Sequence, residues 1–345
     1  MKKPDTSKID QAWPESGLEH VGKCIYCGSA ERTLAYKDVQ DWSFYCAPGK
    51  WTYWDCTACK SLYLDPRPTQ ATIGAAYGSY YTHAAVSRVS IVKKVKEKII
   101  NEYFAFALNV DIKPRLNIPA SLRWVLYPIK YKLAIPFGFK ALSELPKGKM
   151  LDVGCGNGDT VFYAKQIGWQ AKGIELDPVA VNAAKSRGLD IVEGTYENLS
   201  NYSNEYDCVV CSHVLEHVYD PFKMLQLLSL TLKPNGVLIL SLPNASSHLR
   251  QQFGAYWRGM EAPRHIAIPT VEKIRELLIQ LKFKKIHINQ NTNKTLKQSE
   301  LIFKNSMHHK IEDAIKNRKD NNQSNQSNQS NELLNSDFIE IIATK

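Results

Sequence analysis

The stretch Leu151-Asp152-Val153-Gly154-Cys155-Gly156-Asn157-Gly158-Asp159 constrains this 345-residue chain more than any other. An apolar strand runs into a loop with glycine at every second position, and the spacing predicts a helix from Asp159 to Ile167. Glycine allows positive φ and close backbone approach, so a ligand can lie directly against such a loop. The pattern is G-x-G-x-G. A dinucleotide fingerprint would be G-x-G-x-x-G, and Asp159 occupies the place of its third glycine. The loop therefore argues against a nicotinamide dinucleotide. Its plain alternative is a strand-to-helix connector with no ligand.

The next segment bears on that choice. Gln170 to Glu175 reads as a second strand that ends in a carboxylate about 20 residues beyond the first glycine, where nucleoside-binding α/β folds place the acceptor for ribose hydroxyls. Asp177-Pro178 supplies an N-cap and a first-turn proline for the following helix. Further strands are expected at 190–194, 206–211 and 236–244, with a helix from Asp220-Pro221 to Leu230. A sixth strand is expected at 283–288, and an antiparallel seventh at 338–343. Apolar strands alternating with helices imply a mostly parallel sheet covered on both faces.

Residues of about 146–290 resemble a class I S-adenosylmethionine-dependent methyltransferase, of the bacterial kind found with cell-surface polysaccharide and sugar pathways. The resemblance rests on the glycine loop, Gly173-Ile174-Glu175, Ser212-His213-Val214-Leu215-Glu216-His217-Val218, Leu242-Pro243-Asn244, and Trp257 with Pro263-Arg264-His265. It implies a Rossmann-like seven-stranded sheet whose last strand is antiparallel. It also implies S-adenosyl-L-methionine held by Asp152, Gly154, Gly156, Gly158, Glu175, Leu176, Thr195 and Ser212. Glu175 would hold the ribose, and Gly194-Thr195-Tyr196-Glu197 would lie near the adenine.

Upstream, Cys24-x-x-Cys27 and Cys56-x-x-Cys59 form two knuckle-like pairs separated by 28 residues. Two such pairs complete a tetrahedral site for a structural Zn2+. The long gap predicts a hairpin insert with strands at Trp42–Tyr45 and Trp51–Trp54. Cys46, Cys155, Cys208 and Cys211 are expected to be buried thiols rather than parts of an extracellular disulfide framework.

Three regions follow: a zinc-ribbon-like module at 1–66, a basic helical connector or cap at 67–145, and a methyltransferase domain at 146–345. The polar tract with three Gln-Ser-Asn triplets is expected to be a disordered insert at about 318–334, after a helix around 300–318. The net charge is +10, and residues 61–150 hold 14 Lys and Arg against 5 Asp and Glu. Lys93, Lys94, Lys96 and Lys98 cluster within it. Such a surface suits an anionic acceptor or peripheral membrane contact, with a solvated helix face as the plain alternative. The N-terminus has no apolar core of a signal peptide, and no stretch approaches 18 uncharged apolar residues. These features predict a cytoplasmic protein, peripheral to the inner face of the membrane.

The expected reaction is methyl transfer to a small-molecule or glycan acceptor, a sugar hydroxyl on a nucleotide- or lipid-linked precursor in polysaccharide biosynthesis. No nucleic acid partner is expected. The rival readings are an RNA methyltransferase that uses the zinc module and basic connector, or a non-catalytic scaffold. His265 and His213 are the candidate bases, with His265 favoured because it reads as part of a polar loop. Arg264, Arg258, Trp257 and His83 are the candidate acceptor contacts, an arginine gripping a phosphate or carboxylate.

Overall fold

The computed structural model describes residues 7–78, 91–119, 121–122, 124, 138–291, 295–316 and 337–345. The N-terminal strands are β1 (Leu18–Glu19), β2 (Arg32–Val39), β3 (Trp51–Cys56), β4 (Leu62–Leu64) and β5 (Arg67–Pro68). Helices α1 (Ile91–Ala107) and α2 (Phe139–Glu144) follow. The α/β segment then runs β6 (Lys149–Val153), α3 (Asp159–Gln166), β7 (Gln170–Glu175), α4 (Pro178–Ser186), β8 (Ile191–Glu193), β9 (Tyr206–Ser212), α5 (Pro221–Thr231) and β10 (Leu232–Pro243). The chain continues with α6 (His248–Phe253), β11 (Ala267–Ile268), α7 (Val271–Gln280), β12 (Lys284–Asn291), α8 (Leu296–Lys316) and β13 (Phe338–Thr344).

All seven strands expected from the apolar pattern form one sheet in the order β12-β13-β10-β9-β6-β7-β8. The pairs β6–β7, β6–β9 and β7–β8 are parallel, so their carboxyl ends share one edge. This is a Rossmann-like α/β fold, mostly parallel with an antiparallel last strand. Its strands are apolar because both faces are covered: Val209, Val210, Ile239 and Leu240 are fully buried. Each such side chain contributes about 1.5–3 kcal/mol on leaving water. Helix α4 starts as its sequence predicts, with the Asp177 carboxylate accepting from the Val179 N–H at 2.9 Å and Pro178 in the first turn.

Contacts divide the chain into two units. One comprises residues 81–212, 227–240 and 343–345. Within it an aromatic cluster of Phe104, Phe139 and Tyr163 ties α1 and α2 to α3, with Phe104 and Phe139 centroids 4.6 Å apart. The other comprises residues 1–80, 213–226 and 241–342. It contains a four-stranded sheet of order β11-β4-β3-β2, so an edge strand from beyond residue 260 completes the sheet of the cysteine-bearing segment.

Two expectations need correction. Trp42–Tyr45 is a turn, and the partner of β3 is β2. The reason is Asp41, whose buried carboxylate accepts from the N–H groups of Phe44, Cys46 and Ala47 at 3.0–3.1 Å and so takes donors a ladder would need. The connector is not helical throughout: α1 ends at Ala107, and 110–119 carries no regular structure. Pro114 and Pro119 fall in that stretch and oppose helix. The Gln-Ser-Asn triplets, His83 and most of Ser121–Lys132 lie outside the described residues.

Candidate functional site

The glycine loop sits at the carboxyl end of β6, and Gly154, Gly156 and Gly158 all have positive φ, at 71°, 54° and 78°. The N–H groups of Gly154 and Cys155 donate to the Ile174 carbonyl at 2.8 and 3.1 Å, which fixes the loop against β7. Gly156 N–H donates to Glu175 Oε2 at 2.7 Å, and Asp177 N–H donates to Glu175 Oε1 at 2.9 Å. One carboxylate thus bridges the loop and the start of α4. A Cβ built on Gly156 would meet nothing within 4 Å, so the space above this glycine is open. A Cβ on Gly173 would lie 2.5 Å from both Cys155 Sγ and Ile191 Cδ1, so that glycine is needed for packing.

The other residues expected at the cofactor lie close in sequence to this edge. Asp152 is buried near the end of β6, and burial together with the Glu175 charge pushes its carboxyl up to about 7. Leu176 is 65% exposed, a large apolar side chain left in the open directly after Glu175. Thr195 caps a short 3-10 turn after β8: its hydroxyl accepts from Glu197 N–H at 3.2 Å, and its own N–H donates to Asn198 Oδ1 at 2.8 Å. Ser212 ends β9. Asp159, in the place of a third glycine, starts α3 and pairs with Arg187 at 2.9 Å.

The four cysteines converge. Their Sγ atoms lie within 4.8 Å of one another, with Cys24–Cys59 at 3.6 Å and Cys27–Cys56 at 3.4 Å. Tetrahedral zinc with sulfur at ~2.3 Å needs sulfur–sulfur edges of about 3.8 Å. The donor set therefore fits Zn2+, which would cross-link two turns of the small sheet. Cys46 is not among them; it is buried, with Sγ 3.4 Å from the Ala76 carbonyl.

The histidines form a second constellation. His213, directly after β9, has a positive φ of 56° and a half-exposed side chain. Its Nδ1 lies 3.1 Å from Oε1 of Glu216, which is fully buried. Burial pushes the Glu216 carboxyl up, but the His213 hydrogen bond and the His213, His217 and His265 charges outweigh it and hold it below its ordinary range. His265 is 3% exposed, and its Nδ1–H donates to the Gly259 carbonyl at 2.7 Å. Burial drives the His265 ring down to about 4, against the opposing pull of Glu261. His217 Nδ1 lies 3.0 Å from the Arg264 carbonyl and 3.1 Å from the Tyr77 hydroxyl. His265 lies in a loop of polar neighbours, walled in by backbone and acidic side chains.

The residues expected to contact the acceptor have partners within the protein. Arg264 is fully buried and forks onto Asp41, with Nη1–Oδ2 at 3.0 Å and Nη2–Oδ1 at 2.5 Å. Trp257 is 1% exposed, and its indole N–H donates to Asp337. Arg258 pairs with buried Glu261. Arg264 and Trp257 are therefore held inside the fold, and Arg258 is partly exposed. Sequence reasoning missed Glu216 and Asp41. The i,i+3 spacing of His213 and Glu216 on a short turn was a usable signal for the first, whereas Asp41 lies 223 residues from Arg264 and left none.

Comparison with known proteins bears on this arrangement. Residues 132–288 match a family model described as "Methyltransferase domain". That stretch is similar to a methyltransferase domain. Part of the chain is 33% identical over 107 residues to a ubiquinone biosynthesis O-methyltransferase of Xanthomonas campestris pv. campestris, covering 29% of this chain and 45% of that protein. A mitochondrial ubiquinone biosynthesis O-methyltransferase of Schizosaccharomyces pombe is 33% identical over 102 residues, covering 27% of this chain and 37% of that one. The chain thus spans less than half the length of these curated relatives. Among solved structures, a methyltransferase from Archaeoglobus fulgidus gives a TM-score of 0.43 at 18% identity, covering 64% of this chain and 99% of its own. One from Mesorhizobium loti gives 0.41 at 15% identity, covering 60% and 97%.

The matched stretch includes the glycine loop, Glu175, His213, Glu216 and His265, and leaves the four cysteines outside. Its loop residues fit S-adenosylmethionine on three counts: open space over Gly156, a carboxylate fixed at the end of β7, and exposed Leu176 beside it. Among the described residues, no helix is long and apolar enough to cross a membrane.

Proposed function

We propose that this protein transfers a methyl group from S-adenosylmethionine to a hydroxyl of a small-molecule or glycan acceptor, a sugar on a nucleotide- or lipid-linked precursor of cell-surface polysaccharide. The observation that carries the reading is the Glu175 carboxylate, locked by the Gly156 and Asp177 N–H groups beside an open glycine loop. Ligands of open α/β sheets bind outside the carboxyl ends of the strands, which is where this carboxylate stands. The relatives bearing the name O-methyltransferase favour an oxygen acceptor.

In this reading Glu175 orients the ribose, the backbone around Gly154 and Gly156 admits the methionine part, and Leu176 and the Thr195 turn flank the adenine. Bound S-adenosylmethionine supplies an electrophilic methyl on a sulfonium. The zinc site is structural, and the basic segment before the domain brings the protein to the cytoplasmic face of the membrane. Incubation with cofactor labelled in the methyl group, together with extracted glycan precursors and total RNA, tests the proposal. Label in a sugar-containing fraction is expected. Label confined to RNA contradicts the acceptor class, and no label in any fraction contradicts turnover.

A further inference from the structure

The two cysteine knuckles make the same turn with a different residue at its tightest point. In Cys24-x-x-Cys27-Gly28 the Gly28 N–H donates to the Cys24 carbonyl at 2.8 Å, and in Cys56-x-x-Cys59-Lys60 the Lys60 N–H donates to the Cys56 carbonyl at 2.9 Å. Both residues occupy the left-handed region, at φ 77° and 60°. Glycine adopts that backbone freely, whereas a lysine there is strained. The first knuckle shows that the turn closes with no side chain at this place. A lysine held in strain where glycine would serve points to a task for its charge. Lys60 is exposed, and among the described residues it makes no ion pair.

Lys60 stands in the wall of a polar cavity of about 430 Å3, formed within the unit of residues 1–80, 213–226 and 241–342. That volume lies in the range of about 300–1,000 Å3 that takes small-molecule ligands. Strand β2 contributes Thr33 and Tyr36, and α6 contributes Arg250 and Gln251, with Ser246 just before it. Arg250 is fixed in place. Its Nη2 donates to both oxygens of Asp55 at 2.8 and 2.7 Å, its Nη1 donates to the Ala245 carbonyl at 2.8 Å, and its guanidinium lies 5.3 Å from the centroid of the Tyr36 ring. Its Nε is buried with no hydrogen-bond partner, a cost that an acceptor atom of a bound molecule would remove. Asp55 offsets the Arg250 charge, which leaves the Lys60 charge in excess among the side chains of the wall. The rest of the wall offers hydroxyls, an amide and a tyrosine ring, groups that both donate to and accept from sugar hydroxyls.

We propose that this cavity binds an anionic sugar, a pyranose carrying a phosphate or carboxylate group, with Lys60 holding the anionic group and Arg250 Nε donating to a further oxygen. The proposal deepens the glycan-acceptor reading above and rests on it for the sugar, while the anionic group follows from the charges of the wall. The cavity is a recognition site, and no bond is made or broken in it. Its strained lysine sits on a cysteine knuckle, so the cysteine-bearing segment takes part in choosing the ligand as well as in folding.

The test is calorimetric titration of the full-length chain with glucose 1-phosphate, glucuronate, glucose and inorganic phosphate, in the absence of S-adenosylmethionine. At least one of the two anionic sugars should bind about tenfold or more tightly than glucose and than inorganic phosphate, the gain expected of a charge-assisted contact. Tighter binding of glucose 1-phosphate assigns a phosphate-bearing ligand, and tighter binding of glucuronate a carboxylate-bearing one. Two variants remove the charge in different ways. Lys60→Met keeps the strained backbone, and Lys60→Gly relieves it, so the thermal midpoint of the glycine variant should equal or exceed that of wild type. Both should lose the preference for the anionic sugar over glucose. Equal affinity for glucose and the anionic sugars, inorganic phosphate bound as tightly as either of them, or an undiminished preference in Lys60→Met overturns the proposal. The titrations need no turnover. Anionic-sugar binding by a chain that methylates nothing contradicts the methyl-transfer reading alone, and a methylated glycan without that preference contradicts the cavity alone.

Discussion

Arg264 and Asp41 form a two-pronged ion pair with both side chains fully buried, at 3.0 Å and 2.5 Å. The same Asp41 carboxylate caps the turn at 41–47, and Arg264 Nη1 also donates to the Ala76 carbonyl at 2.8 Å. A sequence motif that reads as an acceptor grip is therefore a clasp across 223 positions of chain.

Breaking that clasp leaves a buried charge without its counterpart. Asp41→Asn and Arg264→Lys should each destabilise the protein by about 3–5 kcal/mol, since lysine cannot reproduce the planar fork. Urea denaturation checks this, and a change below about 1 kcal/mol in either variant would refute the role of the pair.

The cysteine cluster should hold one zinc ion per chain. Native mass spectrometry reads the stoichiometry, and chelation should lower the thermal midpoint because the ion joins segments that lie 28 residues apart in sequence. Cys27→Ser should reproduce the effect of the chelator. An unchanged midpoint in metal-free protein would remove the structural role.

Acid should weaken the fold through the group around His265. Burial holds His265 down to about 4, below its ordinary 6.5, so the unfolded chain takes this proton first and stability falls as pH drops from 6.5 toward 4. For Glu261, burial pushes up, but His265, Arg258 and Arg264 pull the carboxyl down to about 2 from 4.5, and its contribution is lost over that lower window. Both act in the same direction. Denaturant midpoints measured from pH 8 to pH 3 should fall steadily below about 6.5, and a His265→Gln variant should lose the upper part of that slope.

Two glycines in one strand–loop pair should behave oppositely. Gly156→Ala adds a methyl to open space at positive φ, so it should cost about 1 kcal/mol of stability and most of the cofactor affinity. Gly173→Ala forces a carbon against Cys155 and Ile191 and should cost about 1–3 kcal/mol by overpacking, with any effect on affinity following from the fold. Parallel calorimetry and urea titration separate the two.

Much of the fold was readable because its strands are buried on both faces and so write themselves as apolar runs: Val209-Val210 and Leu238-Ile239-Leu240 leave little choice. Glu175 was readable because strand length fixes its distance from the glycine loop. Trp42–Tyr45 misled because aromatic content suggests strand, whereas Asp41 captures the backbone donors locally. The burial of Arg264 and His265 was hidden for another reason. Charge and Pro-Arg-His composition look like a surface loop, and only the tertiary arrival of Asp41, Glu261 and the Gly259 carbonyl buries them. Long-range partners leave no local pattern.

The central claim is that Glu175 and its glycine loop hold S-adenosylmethionine. Calorimetric titration of the full-length protein with S-adenosylmethionine, beside Glu175→Ala, tests it most directly. The account predicts one cofactor per chain for wild type and at least a tenfold weaker association for the variant, the loss expected when hydrogen bonds to a charged partner are removed. No binding by folded wild-type protein, or equal affinity in the two, would contradict it.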